Sequence, residues 1–409
     1  MKKSARMLAA AMAAVMMLTA CGSGSAGSTT AAPAGDSKAA ETQAEAGTEA
    51  KESGAAEGEK AGADGVLKVA LILPGKKDDV SFNQAMFQGM QKYVDAHASE
   101  IDLKVVENVY EVADIEPALM DFADQGYDVV FGHGFQFMEP IVKVAPNYPD
   151  TKFLLGTGYK SVDNSAIYDV SLQSGGYLMG VIAALASQSG KIGVVGGADA
   201  SEIFRGHEGF KFGAKSVNPD IEIQEVYTGD WTDTAGAKEA AVGMYDSGVD
   251  VIWHSGDGIG LGVVQAAKEK DMYCLGNVAD QNSLAPDNVL SGVVYQWEAV
   301  ISGIFDDIRS GSFTGREEAD RFYWINAEDG GLSYAPISDP KGWLTDEDKA
   351  QIEDTFKKLQ AGEIEMPEFT QGEAAFYRQT GCGGAGFISP PRFPCVSIQE
   401  VCTDGNISS

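Results

Sequence analysis

The chain has 409 residues, of which 44% are hydrophobic, so it is long enough for two or more compact units with sizeable cores. It carries 60 acidic against 30 basic residues, a formal net charge of −30. Proteins that neutralise phosphates need clustered Lys and Arg, so this balance argues against nucleic-acid binding and against electrostatic adsorption to anionic membranes.

The N-terminus is typical of an export signal. Lys2, Lys3 and Arg6 precede an apolar run over residues 7–18 that is too short for a permanent membrane span. The following Leu18-Thr19-Ala20-Cys21 resembles a bacterial lipobox, in which the peptide is cut before an acylated cysteine. The alternative is an ordinary secretory signal with an incidental cysteine. We predict a lipoprotein signal peptide over residues 1–20 and a lipid anchor at Cys21, which places the protein on the extracytoplasmic face of the cell membrane.

Two segments have compositions that do not form a core. Residues 21–65 are mostly Ala, Gly, Ser, Thr and Glu, which predicts a disordered tether behind the anchor. Residues 372–409 are rich in Gly and Pro without periodicity and are predicted to be an irregular tail without an assigned function. The tail holds Cys382, Cys395 and Cys402, whose disulfide state stays open. No CxxC pair occurs, so no zinc or other metal site is predicted.

From residue 66 onward, short apolar runs alternate with segments of helical spacing. The predicted strands cover residues 66–73, 103–109, 128–131, 152–155, 191–195, 221–227, 249–253 and 272–275. The predicted helices cover residues 81–97, 115–125, 138–146, 203–216, 235–247, 262–270 and 346–359. Residues 166–172 alternate apolar and polar side chains, and Cys274 is expected to be a buried strand residue. Nearly continuous apolar strands between helices indicate parallel sheets covered on both faces.

The alternation runs through the chain twice, which predicts two similar α/β halves. We expect a ligand-binding core over residues 66–371 made of two doubly wound lobes joined by crossing strands, with a hinge at the crossings. The first lobe is predicted at about residues 66–162 and 290–371, and the second at about residues 163–289.

Candidate site residues follow from the rule that open α/β folds bind ligands beyond the carboxyl ends of their strands. After the first strand, the chain turns at Pro74-Gly75 and then presents Asp79, Phe82 and Asn83. Phe82 is either a core residue at a helix start or a platform on which a flat ring stacks. We predict this loop to be one wall of a small-molecule site.

Glycine-rich turns follow other predicted strands. Gly134 and Phe135 lie in one such turn, and Gly256 and Asp257 begin a longer one. The glycine spacing does not match the dinucleotide fingerprint, so no nicotinamide or flavin dinucleotide cofactor is predicted. Glycine permits tight turns, and exposed amides at such turns also bind polar ligand atoms. Because Asp257 adds a carboxylate, all four residues are candidate ligand contacts.

Two further candidates lie in polar loops. Trp231 follows a predicted strand, where it has little core to fill and is suited to stacking on an aromatic ligand. Asp280, in Asp280-Gln281-Asn282, either offers its carboxylate to a ligand or makes an Asx-type turn.

Nothing in the sequence predicts catalysis. His133, His207 and His254 are too scattered for a metal site and are expected to be structural hydrogen-bonding residues. No G-x-S-x-G nucleophile motif occurs. The alternative of an enzyme would use Asp79, Asp257 or Asp280 as acid–base groups.

Several motifs in the same order resemble one known family. They are Asp78-Asp79-Val80-Ser81-Phe82-Asn83-Gln84, Ala145-Pro146-Asn147-Tyr148-Pro149-Asp150, Gly209-Phe210-Lys211-Phe212-Gly213-Ala214, Tyr227-Thr228-Gly229, Gly248-Val249-Asp250 and Asp280-Gln281. Over about residues 66–369 the chain is similar to the basic membrane protein family of bacterial lipoproteins, substrate-binding components of ABC transporters best known for purine nucleosides.

The resemblance implies a type I periplasmic-binding fold, no enzymatic activity, and delivery of a ligand to an ABC permease. It implies that Phe82 and Asn83 line the site, that Trp231 occupies an aromatic position, and that Gly256 and Asp280 match family positions. The chain departs from the family at Leu73-Pro74-Gly75, Leu155-Gly156-Thr157 and Gly276-Asn277-Val278, where family members often carry an Asp. Carboxylates that grip a ribose are therefore missing or replaced.

We thus predict a receptor for a small flat heterocycle of the nucleoside or nucleobase class. A flavin-like ligand, and a ligand-sensing lobe for a membrane signalling partner, are the alternatives.

Overall fold

The computed structural model describes residues 65–313 and 322–369. The predicted signal peptide, Cys21, the tether and the three cysteines of the tail lie outside the described residues. None of the helices in the described ranges combines the length and the hydropathy that crossing a bilayer requires.

The strands and helices alternate as predicted, with boundaries that differ by a few residues. The strands are β1 Leu67–Ile72, β2 Ile101–Val106, β3 Val129–Gly132, β4 Lys152–Gly156, β5 Ser165–Val170, β6 Lys191–Gly196, β7 Glu222–Tyr227, β8 Val251–Ser255, β9 Tyr273–Gly276, β10 Val289–Tyr295, β11 Phe322–Ile325 and β12 Leu332–Tyr334. The helices are α1 Phe82–Ala96, α2 Val112–Asp124, α3 Met138–Val144, α4 Leu172–Ala186, α5 Ser201–Val217, α6 Thr234–Asp246, α7 Gly258–Lys270, α8 Trp297–Ser310 and α9 Asp346–Gln360. Short 3-10 turns follow β3, α3 and β9.

The described strands form two six-stranded sheets. The first has the order β11-β5-β4-β3-β1-β2 and the second the order β12-β10-β9-β8-β6-β7. Neighbouring strands are parallel except β10 and β12, which are antiparallel. The inner strands β3, β4 and β8 are almost completely buried because helices cover both faces. This confirms the predicted α/β fold of two lobes, and Cys274 in β9 is buried as expected.

The chain passes between the two sheets three times. It crosses from β5 to α4 at Ser171, from β10 to α8 at Gln296, and from β11 to β12. The Ser171 N–H donates to Ile325 O at 2.9 Å, and the Gln296 N–H donates to Gly331 O at 2.8 Å, so the crossings run side by side. By hydrogen bonding, β5 belongs to the first sheet and β10 to the second. The exact lobe boundaries along the chain stay a prediction.

Helices α4 and α5 lie in unusually close contact on the second sheet. A Cβ atom added at Gly176 would lie 2.0 Å from Gly206 O, and one added at Gly213 would lie 2.0 Å from Tyr177 O. The helix backbones therefore touch directly at glycine positions. This contact fixes α5, whose N-terminal end reaches the ligand-binding region.

Candidate ligand-binding site

A cavity of about 740 Å³ lies between the two sheets. This volume is within the range of roughly 300–1,000 Å³ that is common for small-molecule pockets. Its lining residues fall at 74–83, 108–110, 134–136 and 157, after β1 to β4 of the first sheet, and at 200–203, 230–232, 256–261 and 277–278, after β6 to β9 of the second. The carboxyl ends of eight parallel strands thus converge on one space, as expected for an open α/β fold.

The structure brings eight of the nine predicted site residues together in this lining: Asp79, Phe82, Asn83, Gly134, Phe135, Trp231, Gly256 and Asp257. Asp280 lies outside it. The Asp280 side chain is exposed, and its carboxylate accepts a hydrogen bond from the Asn282 N–H at 2.9 Å. This is the Asx-type turn that the sequence left open as an alternative.

The loop after β1 is organised by the Asp79 carboxylate. It accepts hydrogen bonds from the N–H groups of Ser81, Asn83 and Gln84 at 2.9, 3.1 and 3.0 Å, and from the Asn83 side-chain amide at 2.7 Å. These donors belong to the start of α1, where a carboxylate also complements the helix dipole. Asp79 therefore holds the wall of the cavity in shape, and its oxygens are already occupied by protein donors.

Strained backbone is concentrated around the cavity. Positive φ angles occur at Val80 (59°), Asn108 (62°), Thr157 (55°) and Val278 (72°), each in a loop that follows a strand ending at the cavity. A β-branched residue in this region is a genuine outlier, and such strain costs about 1–3 kcal/mol per position. The fold tolerates this cost in loops that border the cavity.

Aromatic rings enter the cavity from both lobes. Phe82 stacks one ring face on His133, with centroids 3.9 Å apart and planes 14° apart. Phe135 approaches Trp231 from the opposite lobe at a centroid separation of 6.0 Å. Trp231 itself lies on the backbone of Gly197, where an added Cβ would be 2.6 Å from the indole ring. Phe82 is therefore a core residue, because it packs on the buried His133, and it is also a lining residue of the cavity.

The histidines are structural hydrogen-bonding residues, as predicted. His133 Nδ1 lies 2.8 Å from the Tyr168 hydroxyl, and burial lowers the pKa of His133 to about 3, so its ring is neutral at pH 7. His254 Nε2 lies 2.9 Å from Gln281 Oε1, and burial lowers the pKa of His254 to about 4. Both therefore act as neutral supports of the loops around the cavity.

His207 completes a chain of contacts in the order serine, histidine, carboxylate. Its Nε2 lies 2.6 Å from Ser255 Oγ, and its Nδ1 lies 2.8 Å from Glu225 Oε1. The order is that of a nucleophile triad. However, Ser255 and His207 are both fully buried and neither lines the cavity. Their contacts tie β8, α5 and β7 together.

Asp257 faces the start of α1 across the cleft. It follows β8 of the second sheet, and the charge of Asp79 and the backbone of Phe82 are close enough to act on its pKa. Burial and the negative charge of Asp79 raise the pKa of Asp257 to about 7, and the Phe82 backbone limits the rise. This carboxyl is therefore balanced between its neutral and charged forms near neutral pH.

The sequence missed several lining residues: Asn108, Tyr110, Gln136, Thr157, Glu202 and Asn277. Most directly follow strands, so the strand-end rule would have found them if applied to uncharged residues. Glu202 gives no such signal because it lies inside helix α5. It is 8% exposed, and the Tyr295 hydroxyl donates to its Oε1 at 3.2 Å.

The charge of the cavity is strongly one-sided. Among its described lining residues, Asp78, Asp79, Glu202, Asp230 and Asp257 are acidic, whereas Lys76 is the single cation. Burial raises the pKa values of Glu202 and Asp257, so these two carboxyl groups add less negative charge than the others. An anionic ligand would still meet the negative charge of the remaining aspartates at short range, which is costly in a partly desolvated site. The site therefore favours neutral or cationic ligands.

The two-lobe fold and the interlobe cavity together define a periplasmic-type solute receptor. Residues 66–370 match the family described as ABC transporter substrate-binding protein PnrA-like, and the chain belongs to this family. The family predicted from the sequence motifs is thereby confirmed, as is its link to ABC transporters. Members are substrate-binding proteins that act outside the cytoplasm.

Named relatives agree with this assignment. The chain is 31% identical over 307 residues to a purine-binding protein of Brucella abortus (strain 2308), covering 75% of this chain and 85% of the relative. It is 32% identical over 232 residues to basic membrane protein A of Borreliella burgdorferi, covering 55% of this chain and 67% of the relative. A solved ABC transporter solute-binding protein from Conexibacter woesei superposes with a TM-score of 0.60 at 26% identity, covering 75% of this chain and all of that one.

Proposed function

We propose that this protein is a lipid-anchored, extracytoplasmic receptor that captures a small flat heterocycle of the nucleobase or nucleoside class and delivers it to an ABC permease. The observation that carries the proposal is the cavity between the lobes, which receives Phe82 and Phe135 from one side and Trp231 from the other. Aromatic side chains on opposite walls suit a planar ring, since stacking is worth about 1–3 kcal/mol per base in nucleic-acid complexes.

Binding is proposed to couple to closure of the lobes. The three neighbouring crossings form a narrow connection about which the lobes can rotate, and the site takes groups from both lobes. A ligand that contacts both sides therefore has a higher affinity for the closed state and shifts the population toward it. The closed form is the one that the permease is proposed to recognise.

The chemistry of the lining narrows the ligand. Its amides at Asn83, Asn108, Gln136 and Asn277 offer both donors and acceptors to ring edges or hydroxyls. The excess of carboxyl groups disfavours a phosphate, so the proposed ligand is a nucleobase or nucleoside and not a nucleotide. The purine-binding relative from Brucella abortus supports this class. A flavin-like ring is the second candidate, favoured only by the large cavity volume.

Replacement of Trp231 by alanine is expected to weaken ligand binding roughly 5- to 150-fold, the equivalent of about 1–3 kcal/mol of lost stacking. Isothermal titration of the full chain against adenine, hypoxanthine, adenosine, inosine, riboflavin and adenosine monophosphate identifies the ligand and then measures this loss. Phe212→Ala is the matched control, because Phe212 is an exposed aromatic residue of α5 outside the cavity lining.

The control variant should bind as the wild type does, and the monophosphate should bind at least tenfold more weakly than its nucleoside. If no heterocycle in the panel binds the wild type, the proposed ligand class is wrong. If one binds but Trp231→Ala leaves its affinity unchanged, the ring does not stack on Trp231.

Replacement of Cys21 by alanine is expected to abolish lipid attachment and to release the protein from the membrane, because the cysteine thiol is the only acylation point in the proposed lipobox. Fractionation of cells that express each form, with metabolic labelling by a fatty acid, measures this. Labelled Cys21→Ala protein in the membrane fraction would contradict the anchor.

A further inference from the structure

One side of the cavity, formed by Glu202 and Asn277 and called the floor here, holds a buried carboxyl group. The proposed stacking does not use this group, which belongs to Glu202. Glu202 lies in the first turn of α5 and lines the cavity while only 8% exposed. The Tyr295 hydroxyl lies 3.2 Å from Glu202 Oε1 and 3.5 Å from Asn277 Oδ1, and Asn277 also lines the cavity. Tyr295 thus fixes Glu202 next to a second polar group on the floor.

The charged neighbours of Glu202 leave it without a cation. Asp169 at the end of β5 takes the one nearby guanidinium, since Arg205 Nη2 donates to Asp169 Oδ2 at 2.7 Å. The Arg205 Nη1 donates instead to Ser201 at 2.9 Å. Within the described residues no ion pair reaches Glu202, and the cluster holds two buried carboxyl groups for one guanidinium. An ionised Glu202 would be a buried charge without a partner, which is strongly disfavoured.

The pKa of Glu202 is set mainly by its burial. Burial raises the pKa of Glu202 to about 8, and the charges of Asp169 and Asp257 raise it, whereas Arg205 and the hydrogen bond from Tyr295 oppose the rise. The carboxyl therefore keeps its proton at neutral pH. A neutral carboxylic acid differs from a carboxylate because it presents one O–H donor beside one C=O acceptor.

We infer that Glu202 is a specificity-determining residue that binds the ligand as a neutral carboxylic acid, pairing with a ring edge on which a nitrogen acceptor stands next to an N–H donor. This inference rests on the proposed function and narrows its ligand class. Adenine and hypoxanthine carry such an edge. An ionised Glu202 could accept a hydrogen bond from the N–H, but its second oxygen would repel the lone pair of the neighbouring ring nitrogen. The proton on the neutral Glu202 carboxyl group therefore selects for a ring edge that offers an acceptor and a donor side by side, called the paired edge here.

Comparison of wild type with Glu202→Gln across pH tests the inference, because glutamine keeps the shape, one donor group and one acceptor but does not titrate. Dissociation constants for adenine and hypoxanthine are measured on the full chain at pH 7 and pH 9. At pH 7 Glu202→Gln should bind within about threefold of wild type, whereas Glu202→Ala should bind at least tenfold more weakly. At pH 9 wild type should bind about tenfold more weakly than Glu202→Gln, since one pH unit above the pKa leaves about a tenth of the carboxyl protonated.

Glu208→Gln is the matched control on the same helix, because Glu208 pairs with Lys211 outside the cavity lining. Its ratio to wild type should not change with pH. Asp257 also titrates near neutral pH and its charge acts on Glu202, so wild type and Glu202→Gln are also compared in an Asp257→Asn background, where their ratio should keep its pH dependence.

The outcomes separate this inference from the proposed function. If the ratio of wild type to Glu202→Gln is the same at both pH values, or if Glu202→Gln loses tenfold or more at pH 7, Glu202 does not bind as a neutral acid. If another ring of the panel binds but adenine and hypoxanthine do not, the paired-edge inference is wrong while the proposed function stands. If no heterocycle binds the wild type, the proposed function fails first.

Discussion

Replacement of Arg205 by methionine is expected to destabilise the folded protein by about 3–5 kcal/mol, because it leaves Asp169 buried without its cation. The Asp169 side chain is 2% exposed and that of Arg205 is 16% exposed, so neither charge is solvated well enough to stand alone. Arg205 also lies over the Trp324 ring at 5.3 Å, and methionine keeps part of that apolar contact. Urea denaturation of the full chain at pH 7 measures the loss.

The loss should also depend on pH with a defined sign. Burial raises the pKa of Asp169, and removal of Arg205 takes away the largest opposing effect. A carboxyl with a raised pKa in the folded state contributes stability below its unfolded pKa, and that contribution is lost as pH rises through its folded pKa. The destabilisation of Arg205→Met should therefore shrink as pH falls from 7 towards 4.

Two controls make this prediction specific to the buried pair. Lys238→Met removes one partner of the exposed pair with Glu269 and should change stability little, since exposed pairs contribute almost nothing. The double variant Asp169→Asn, Arg205→Met should be more stable than Arg205→Met alone, because it removes the unpaired charge. A double variant no more stable than the single one would show that lost packing, and not the stranded carboxylate, causes the damage.

Asp169 also shows where the sequence falls short. The alternation of apolar and polar residues over 166–172 is typical of a strand with one face in water, yet every residue of β5 is buried. The reason is that β5 lies between β4 and β11, and β11 arrives from more than 150 residues further along the chain. The polar position is tolerated because Arg205 pairs with it from a helix of the other lobe. Neither β11 nor Arg205 lies within residues 166–172, so the local pattern could not predict that this strand is buried.

The fold itself was predictable because its strands are short apolar runs and its helices have clear periodicity. The same rule, that ligands bind beyond strand ends, located eight lining residues. It failed for Asp280 because the chain folds back at Asn282 and uses the carboxylate locally. It missed Glu202 because a helical residue becomes part of a cavity floor only through the packing of α5 on α4. Sequence order therefore predicts the walls of this site better than its floor.

Replacement of Gly213 by alanine is expected to destabilise the protein by about 1–3 kcal/mol, the usual cost of overpacking a core. The added Cβ would lie 2.0 Å from Tyr177 O in α4. The atom that it meets belongs to backbone, so no side chain can rotate away and the two helices must separate. Gly176 and Gly180 meet backbone oxygens of α5 at the same 2.0 Å, so relief at one position strains the others. Urea denaturation measures the change.

Gly243→Ala is the matched control because Gly243 lies inside helix α6 and an added Cβ there meets nothing within 4 Å. Alanine favours the helix and reduces the freedom of the unfolded chain, so this variant should gain about 0.4–1 kcal/mol. The two substitutions make the same chemical change in the same type of element and should have opposite signs. If Gly213→Ala were also stabilising, α4 and α5 could separate without cost. The close contact would then not be what holds α5, and with it Glu202, at the floor of the cavity.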